Sequence, residues 1–399
     1  MKINLQLFLM FAFLSSNFSY AQNAKTNDSW TKKIAESFIE RTPNYIVYDE
    51  NPTKQKWNYE QGLMLNAIRQ MYYHTKDKKY YEYIKRNLDQ NVQPDGSITT
   101  YKVDEYNIDQ IGPGRALLFV YQKTKEERYR KAADLLRHQL STHPRTKSNG
   151  FWHKQIYPWQ MWLDGLYMGA PFYSEYSKMF NSSKDFDDII HQFELIYSKT
   201  KNVKNGLLHH AWDESKEQKW ADKETGVSLH FWGRSVGWYM MALVDVLDFI
   251  PKDHPKRKLI LNQLKELSDA VLKHRDSKSK VWYQILDLPD RTPNYLEASA
   301  SAMFVYSFVK GVNKGYLNKK FLKAAKESWD GIIREFVVVD EKGLINLTKI
   351  CSVAGLGGNP YRDGSFEYYM SEKLRTNDFK GYGPFLLAAI ELEKAKIKH

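Results

Sequence analysis

The sequence predicts an all-α protein, an (α/α)6 barrel of six helical hairpins, and three observations lead there. Helical periodicity dominates the chain and comes in two kinds, one-faced and apolar nearly all round. The second kind is preceded six times by a loop drawing on aromatic, acidic and glycine residues. The length after an export signal, spread over six such units, gives roughly sixty residues each, enough for a helix pair with its loops at about 1.5 Å of rise per residue. An inner ring of buried helices inside an outer ring of amphipathic ones would bring all six loops to one end. Their polar residues would then line one pocket.

Taken in chain order, Lys2, the apolar stretch Leu5 to Leu14 and Ser19-Tyr20-Ala21 read as an export signal cut after Ala21. That leaves 22–399 as a single barrel domain, since no linker or composition break divides it. The apolar stretch is too short to span a bilayer and no later segment approaches the length needed, so the expectation is a periplasmic or secreted protein without a membrane anchor. The first lead-in loop is Trp57-Asn58-Tyr59-Glu60-Gln61-Gly62, and the second Asn107-Ile108-Asp109-Gln110-Ile111-Gly112. Arg128 to Leu140 sets Tyr129, Ala132, Ala133, Leu136 and Leu140 at helical spacing among polar residues, an outer helix. Trp162-Leu163-Asp164-Gly165 leads into the third inner helix. Trp232-Gly233-Arg234-Ser235-Val236-Gly237-Trp238 leads into the fourth, apolar from Val236 to Phe249. Tyr295-Leu296-Glu297-Ala298-Ser299 precedes the apolar run Ala298 to Val309. Phe321 to Phe336 is a second one-faced helix, and Lys380-Gly381-Tyr382-Gly383 precedes Phe385 to Leu392.

Composition narrows the function. Hydrophobic residues make up 42% and aromatic residues 15% of the 399, a globular chain rich in flat rings that can stack on sugars. The formal net charge of +12 is spread along the sequence rather than gathered in a tail, which suits steering of an anionic small partner and not nucleic-acid binding. One cysteine, Cys351, allows no disulfide. No His-Glu-x-x-His, cysteine pair or calcium loop is present, so no metal is expected. Nor is there a nucleophile elbow, a Walker loop or a dinucleotide fingerprint, and no cofactor is expected. Gly355-Leu356-Gly357-Gly358-Asn359-Pro360 reads as a tight loop at the barrel mouth.

Asp164 lies within Tyr157-Pro158-Trp159-Gln160-Met161-Trp162-Leu163-Asp164-Gly165-Leu166-Tyr167-Met168, among rings, Met and Leu. Such surroundings disfavour a charged carboxylate and are expected to raise its pKa, which suits an acid. Asp109 begins the preceding inner helix, and paired carboxylates in an aromatic cleft are the usual equipment of a glycosidase. The competing reading is that each acid caps its helix. Arg234, in a glycine-bearing aromatic loop, fits a carboxylate or sulfate clamp, against pairing with a structural acid. His210, in His210-Ala211-Trp212-Asp213-Glu214-Ser215, could face the site or simply be a packed imidazole.

Together, the Asp164 segment, the His210 segment, Phe231-Trp232-Gly233-Arg234-Ser235-Val236-Gly237-Trp238-Tyr239, Cys351 to Gly358 and Tyr361-Arg362-Asp363-Gly364-Ser365 resemble glycoside hydrolase family 105, the unsaturated rhamnogalacturonyl and glucuronyl hydrolases. The resemblance runs from about Trp57 onward. It implies an (α/α)6 barrel, with Asp164 as the main general acid/base and Asp109 as its partner. It also implies His210, Arg234 and Trp238 lining the site, with Trp57 and Tyr59 as further substrate contacts. The implied substrates are anionic unsaturated oligosaccharides left by polysaccharide lyases, with uronyl-rhamnose units from ulvan or rhamnogalacturonan foremost. Glycosaminoglycan fragments are the alternative, and a non-catalytic sugar-binding protein is the alternative class.

Overall fold

The structure, a computed structural model, describes residues 29–49 and 52–398; the export signal expected over residues 1–21 lies outside them. In chain order the helices are α1 (Trp30–Arg41), α2 (Tyr59–Thr75), α3 (Lys78–Asp89), α4 (Gly114–Thr124), α5 (Glu127–Thr142), α6 (Leu163–Met179) and α7 (Asp185–Thr200). They continue as α8 (Gly233–Val246), α9 (Arg257–Lys273), α10 (Ala298–Asn313), α11 (Lys320–Phe336), α12 (Phe366–Ser371) and α13 (Phe379–Lys398). Helices α2, α4, α6, α8, α10 and α13 form an inner ring in which each packs on the next and α13 closes on α2. Outside it α3, α5, α7, α9 and α11 each pack on the inner helix that precedes them, and α1 packs on α13. This is the (α/α)6 barrel, its sixth hairpin made from the first and last described helices.

The two kinds of helix sort as their patterns require. Every residue of α8 is buried, as an inner helix touched on all sides must be. The outer helix α11 buries Phe321, Leu322, Ala325, Ser328, Ile332 and Phe336, which recur at helical spacing on one face. Gly233 and Gly237 lie one turn apart where α8 meets α10. A Cβ on Gly237 would stand 2.8 Å from the Met303 Cβ, so the glycine sets how closely the two helices approach.

All six lead-in segments stand at the N-terminal ends of the inner helices, at one mouth, but Gly233 to Trp238 and Lys380 to Gly383, expected as loops, are already helical turns of α8 and α13. Short antiparallel ladders stiffen the loops there and between helices: β1 (Gln160–Trp162) with β2 (Ala211–Asp213), β3 (Val337–Val339) with β4 (Ile345–Leu347), and β5 (Ile350–Cys351) with β6 (Leu374–Arg375). The other end of the ring is closed by buried ions. Asp245 of α8 pairs with Arg115 at 2.7 Å and Lys310 at 2.6 Å, and accepts a hydrogen bond from Tyr306 at 2.6 Å. Glu175 of α6 takes Arg69 at 2.8 and 3.1 Å and Arg115 at 3.4 Å. Arg115 reaches this layer from the second position of α4 because the turn carrying Asp109 occupies the height where the other inner helices begin.

Candidate active site

Asp164 is the second residue of α6, and β1 runs straight into that helix. The register Trp162↔Ala211 and a hydrogen bond from the Leu163 amide to the His210 carbonyl (3.1 Å) place His210 beside the first turn. The Asp164 Oδ2 lies 3.3 Å from the His210 Nε2 but out of hydrogen-bond alignment, and neither atom has another partner. His210 is fully buried; its Nδ1 meets the Tyr369 hydroxyl at 2.8 Å, and its ring packs 4.7 Å from that of Trp232. The capping reading does not hold for either acid. Trp162 occupies the N-cap of α6 without a side-chain bond, and Asp109 sits in a 3-10 turn, Ile108–Gln110, that is capped by Asn107. Both carboxylates are therefore free of helix-capping duty.

Asp109 is held by the loop that precedes β1. Lys154 Nζ lies 2.7 Å from its Oδ2 and His153 Nε2 3.4 Å from its Oδ1. Burial alone would push its pKa up, but the Lys154 and His153 neighbours outweigh it and hold the carboxyl below its ordinary value. His153 stacks on Trp162 with ring centroids 4.4 Å apart, and Tyr157 stacks on the same indole at 5.0 Å. The imidazole borders both acid-bearing elements, with Nε2 toward Asp109 and Nδ1 against the first turn of α6, where a Cβ on Gly165, the residue after Asp164, would lie 3.1 Å away.

Arg234, the second residue of α8, is 1% exposed. It donates to the Cys351 carbonyl and to Ser299 Oγ at 3.5 Å, lies over the Trp232 ring, and leaves Nε without a partner. Among the described residues no carboxylate makes a direct ion pair with it; the buried Glu297 is reached only through Ser299, whose hydroxyl donates to that carboxylate at 2.8 Å. Burial works against its charge, yet Cys351, Glu297 and Asp378 together raise its pKa, so the guanidinium stays charged. The guanidinium thus has acids in its surroundings but makes no direct ion pair, and an anionic ligand would supply one.

The remaining expected contacts sit at different depths. Tyr59 is partly buried at the start of α2, and burial together with Glu60 and Asp109 keeps its phenol protonated. Trp238 is 1% exposed and stacked on Tyr167 at 4.8 Å, and Trp57 is 2% exposed with its indole N–H donated to the Gln110 carbonyl at 2.8 Å. Both were expected to line the site; here Trp238 is covered by its stack on Tyr167, and Trp57 braces the turn that carries Asp109. His153, Lys154 and Tyr369 were not singled out from the sequence. They come from irregular segments or a six-residue helix, where no periodicity marks them. Among the described residues no group of three or more His, Cys, Asp or Glu could hold a metal ion.

Comparison with known proteins places this geometry. The profile of Glycosyl Hydrolase Family 88 matches residues 30–396. A solved glycoside hydrolase from family 105 of Clostridium acetobutylicum (C. acetobutylicum ATCC 824) superposes with a TM-score of 0.88 at 49% identity, over 92% of this chain and 100% of that one. The unsaturated rhamnogalacturonyl hydrolase YesR of Bacillus subtilis is 26% identical over 252 residues, 62% of this chain and 68% of its own length. An unsaturated 3S-rhamnoglycuronyl hydrolase of Formosa agariphila is 27% identical over 177 residues, 43% of this chain and 45% of its own. The chain is a glycosidase that belongs to Glycosyl Hydrolase Family 88, in the group described as glycoside hydrolase family 105.

Proposed function

We propose that the protein removes a 4,5-unsaturated uronic acid from the non-reducing end of lyase-generated oligosaccharides, with uronyl-rhamnose units of the kind found in ulvan or rhamnogalacturonan as the substrate. The observation that carries this reading is a pair of carboxylates, Asp164 and Asp109, at the same mouth as a buried guanidinium, Arg234, that makes no direct ion pair with a carboxylate. An anionic sugar would supply one. The names of the Bacillus and Formosa relatives support rhamnose next to the uronide.

The chemistry follows from the substrate's enol ether. Asp164 in its protonated form gives its proton to C4, and the C4–C5 π electrons form the new C–H bond while the ring oxygen shares the positive charge left at C5. Water adds at C5 and Asp164 takes the proton that the water loses, which returns the acid to its starting state. The resulting hemiketal opens to a ketone at C5, and the hemiacetal left at C1 expels the next sugar. Asp109, kept ionised by Lys154 and His153, orients the water. Arg234 holds the uronate carboxylate.

Ultraviolet absorbance of the unsaturated ring disappears on hydration, so a panel of ulvan, rhamnogalacturonan and glycosaminoglycan lyase products tests the reading directly. Loss is expected fastest on a rhamnose-linked product. Fastest loss on the glycosaminoglycan products moves the substrate class, and no loss on any of them overturns the assignment in favour of a binding protein. Export belongs to the same proposal, since such oligosaccharides arise outside the cytoplasm; a processed N-terminus at Gln22 is the expected sequencing result.

A further inference from the structure

In the reaction just described His153 appears only as a neighbour of Asp109, yet its ring also abuts the first turn of α6, which carries Asp164. The ring is 4% exposed and fixed by Trp162 stacked at an interplanar angle of 10°. Its Nε2 stands 3.4 Å from the Asp109 Oδ1. Its Nδ1 is buried without a hydrogen-bond partner and faces the first turn of α6, where a Cβ added to Gly165 would lie 3.1 Å from it.

We propose that His153 is a positioning residue, a neutral imidazole carrying its proton on Nε2, which donates toward Asp109 and keeps that carboxylate ionised and aimed at the water. The choice of nitrogen follows from what each one faces. Nε2 faces a carboxylate oxygen, which can only accept, so the proton belongs there and the lone pair on the partnerless Nδ1. The charged and titratable groups around the ring are Asp109 on the turn before α4, Lys154 on its own loop, Asp164 on α6, and His210 at the start of the β2 segment. The two carboxylates favour an imidazolium. Burial, Lys154 and His210 oppose it, and burial prevails, pushing the pKa down to about 4.

A neutral donor does what an imidazolium in this place could not. An imidazolium here would pair with Asp109, and its field would also favour the ionised form of Asp164, when the first step needs a proton there. A neutral Nε2–H steadies Asp109 and leaves Asp164 free to cycle. Gly165 is part of the arrangement, because a side chain there would press on the imidazole.

This inference rests on the hydration reading for its kinetic arm and stands apart from it in its spectroscopic arm. In the full-length protein labelled with 15N-histidine, with the His153 signals assigned by their loss in His153→Gln, the expected pattern is a neutral Nε2–H imidazole that gains no proton between pH 8 and pH 5.5. An Nδ1–H tautomer, or protonation near the ordinary value of about 6.5, overturns the proposal whether or not any sugar is turned over. On the substrate that the panel selects, His153→Ala is expected to lower kcat by about 100-fold with KM within about threefold, a loss typical of a misplaced reacting group. Its acid limb of kcat/KM should move to higher pH as Asp109 loses a donor. His153→Gln, which restores an N–H, should bring the limb back toward wild type and recover most of kcat. Glutamine behaving like alanine in both respects would show that His153 only fills space.

Discussion

The two ends of the barrel are built from the same kinds of side chain and treat them in opposite ways. At the closed end Asp245, Glu175, Arg69, Arg115 and Lys310 are buried, and every charge finds an opposite one within 3.4 Å. At the mouth, buried atoms of Asp164, His210, His153 and Arg234 have no hydrogen-bond partner. Burial alone therefore does not mark a functional charge in this fold. Incomplete pairing is what gathers at the mouth, although the Arg69 Nε at the closed end also lacks a partner; an unmatched buried polar group costs about 1–3 kcal/mol, and more when it is charged, unless a ligand completes it.

The largest effect expected from breaking this contrast is Asp164→Asn. Turnover should fall by about 10⁴-fold, near 5 kcal/mol of transition-state stabilisation, while unfolding by guanidinium stays within about 1 kcal/mol of wild type. Near-normal turnover would remove Asp164 from the chemistry. At the closed end the outcome should reverse. Asp245→Ala strips Lys310 of one buried partner and leaves Arg115 with Glu175 alone, so a loss of about 3–5 kcal/mol in unfolding free energy is expected.

Lys154→Met tests the mouth more finely. Asp109 has a depressed pKa, so its contribution to stability is complete above the unfolded carboxylate value of about 4 and is lost as pH falls through the lower folded value. Removing Lys154 raises that folded value. The acid limb of kcat/KM should therefore move upward, and the variant should gain less stability than wild type as pH rises through this window. A limb that does not move would mean that Lys154 has no hold on Asp109. The smallest effect expected is on stability in Arg234→Met. Removing a buried charge that makes no direct ion pair should leave unfolding free energy within about 1 kcal/mol of wild type, even as KM rises; a large destabilisation would mean that its bond to Cys351 and its bridge through Ser299 to Glu297 matter more than the open charge.

The barrel was legible in the sequence because inner and outer helices obey different burial rules. Val236 to Phe249 has no polar face to turn outward, whereas Phe321 to Phe336 has one, and that difference assigns the rings. Asp109, Asp164, His210 and Arg234 were legible as members of the lead-in loops or the family motifs, and all four stand at the mouth. Their partners were not. Tyr369 reaches His210 from 159 residues away, and the Cys351 carbonyl reaches Arg234 from 117 away. No local pattern encodes contacts of that range. His153 and Lys154 sit in a loop whose spacing carries no period, and the depth of Trp57 and Trp238 depends on how loops fold over them. Indole rings read as candidate sugar platforms from sequence alone, and only packing shows which have a free face.

The pairing of α1 with α13 gives the ring a cyclic order of helices with no privileged starting point. The beginning of α1 already lies beside the end of α13, where the Thr31 amide donates to Glu393 at 3.4 Å. A flexible linker joining those two ends, with the chain reopened in the exposed turn at Lys252 and Asp253, would keep all six hairpins and every neighbour around the mouth. Such a circular permutant should retain the barrel, whereas deleting α1 should expose one flank of α13 and unseat the helix that closes the circle. The molecule is organised as a loop of equivalent places, and the order in which the polypeptide visits them is a separate matter from the site that they enclose.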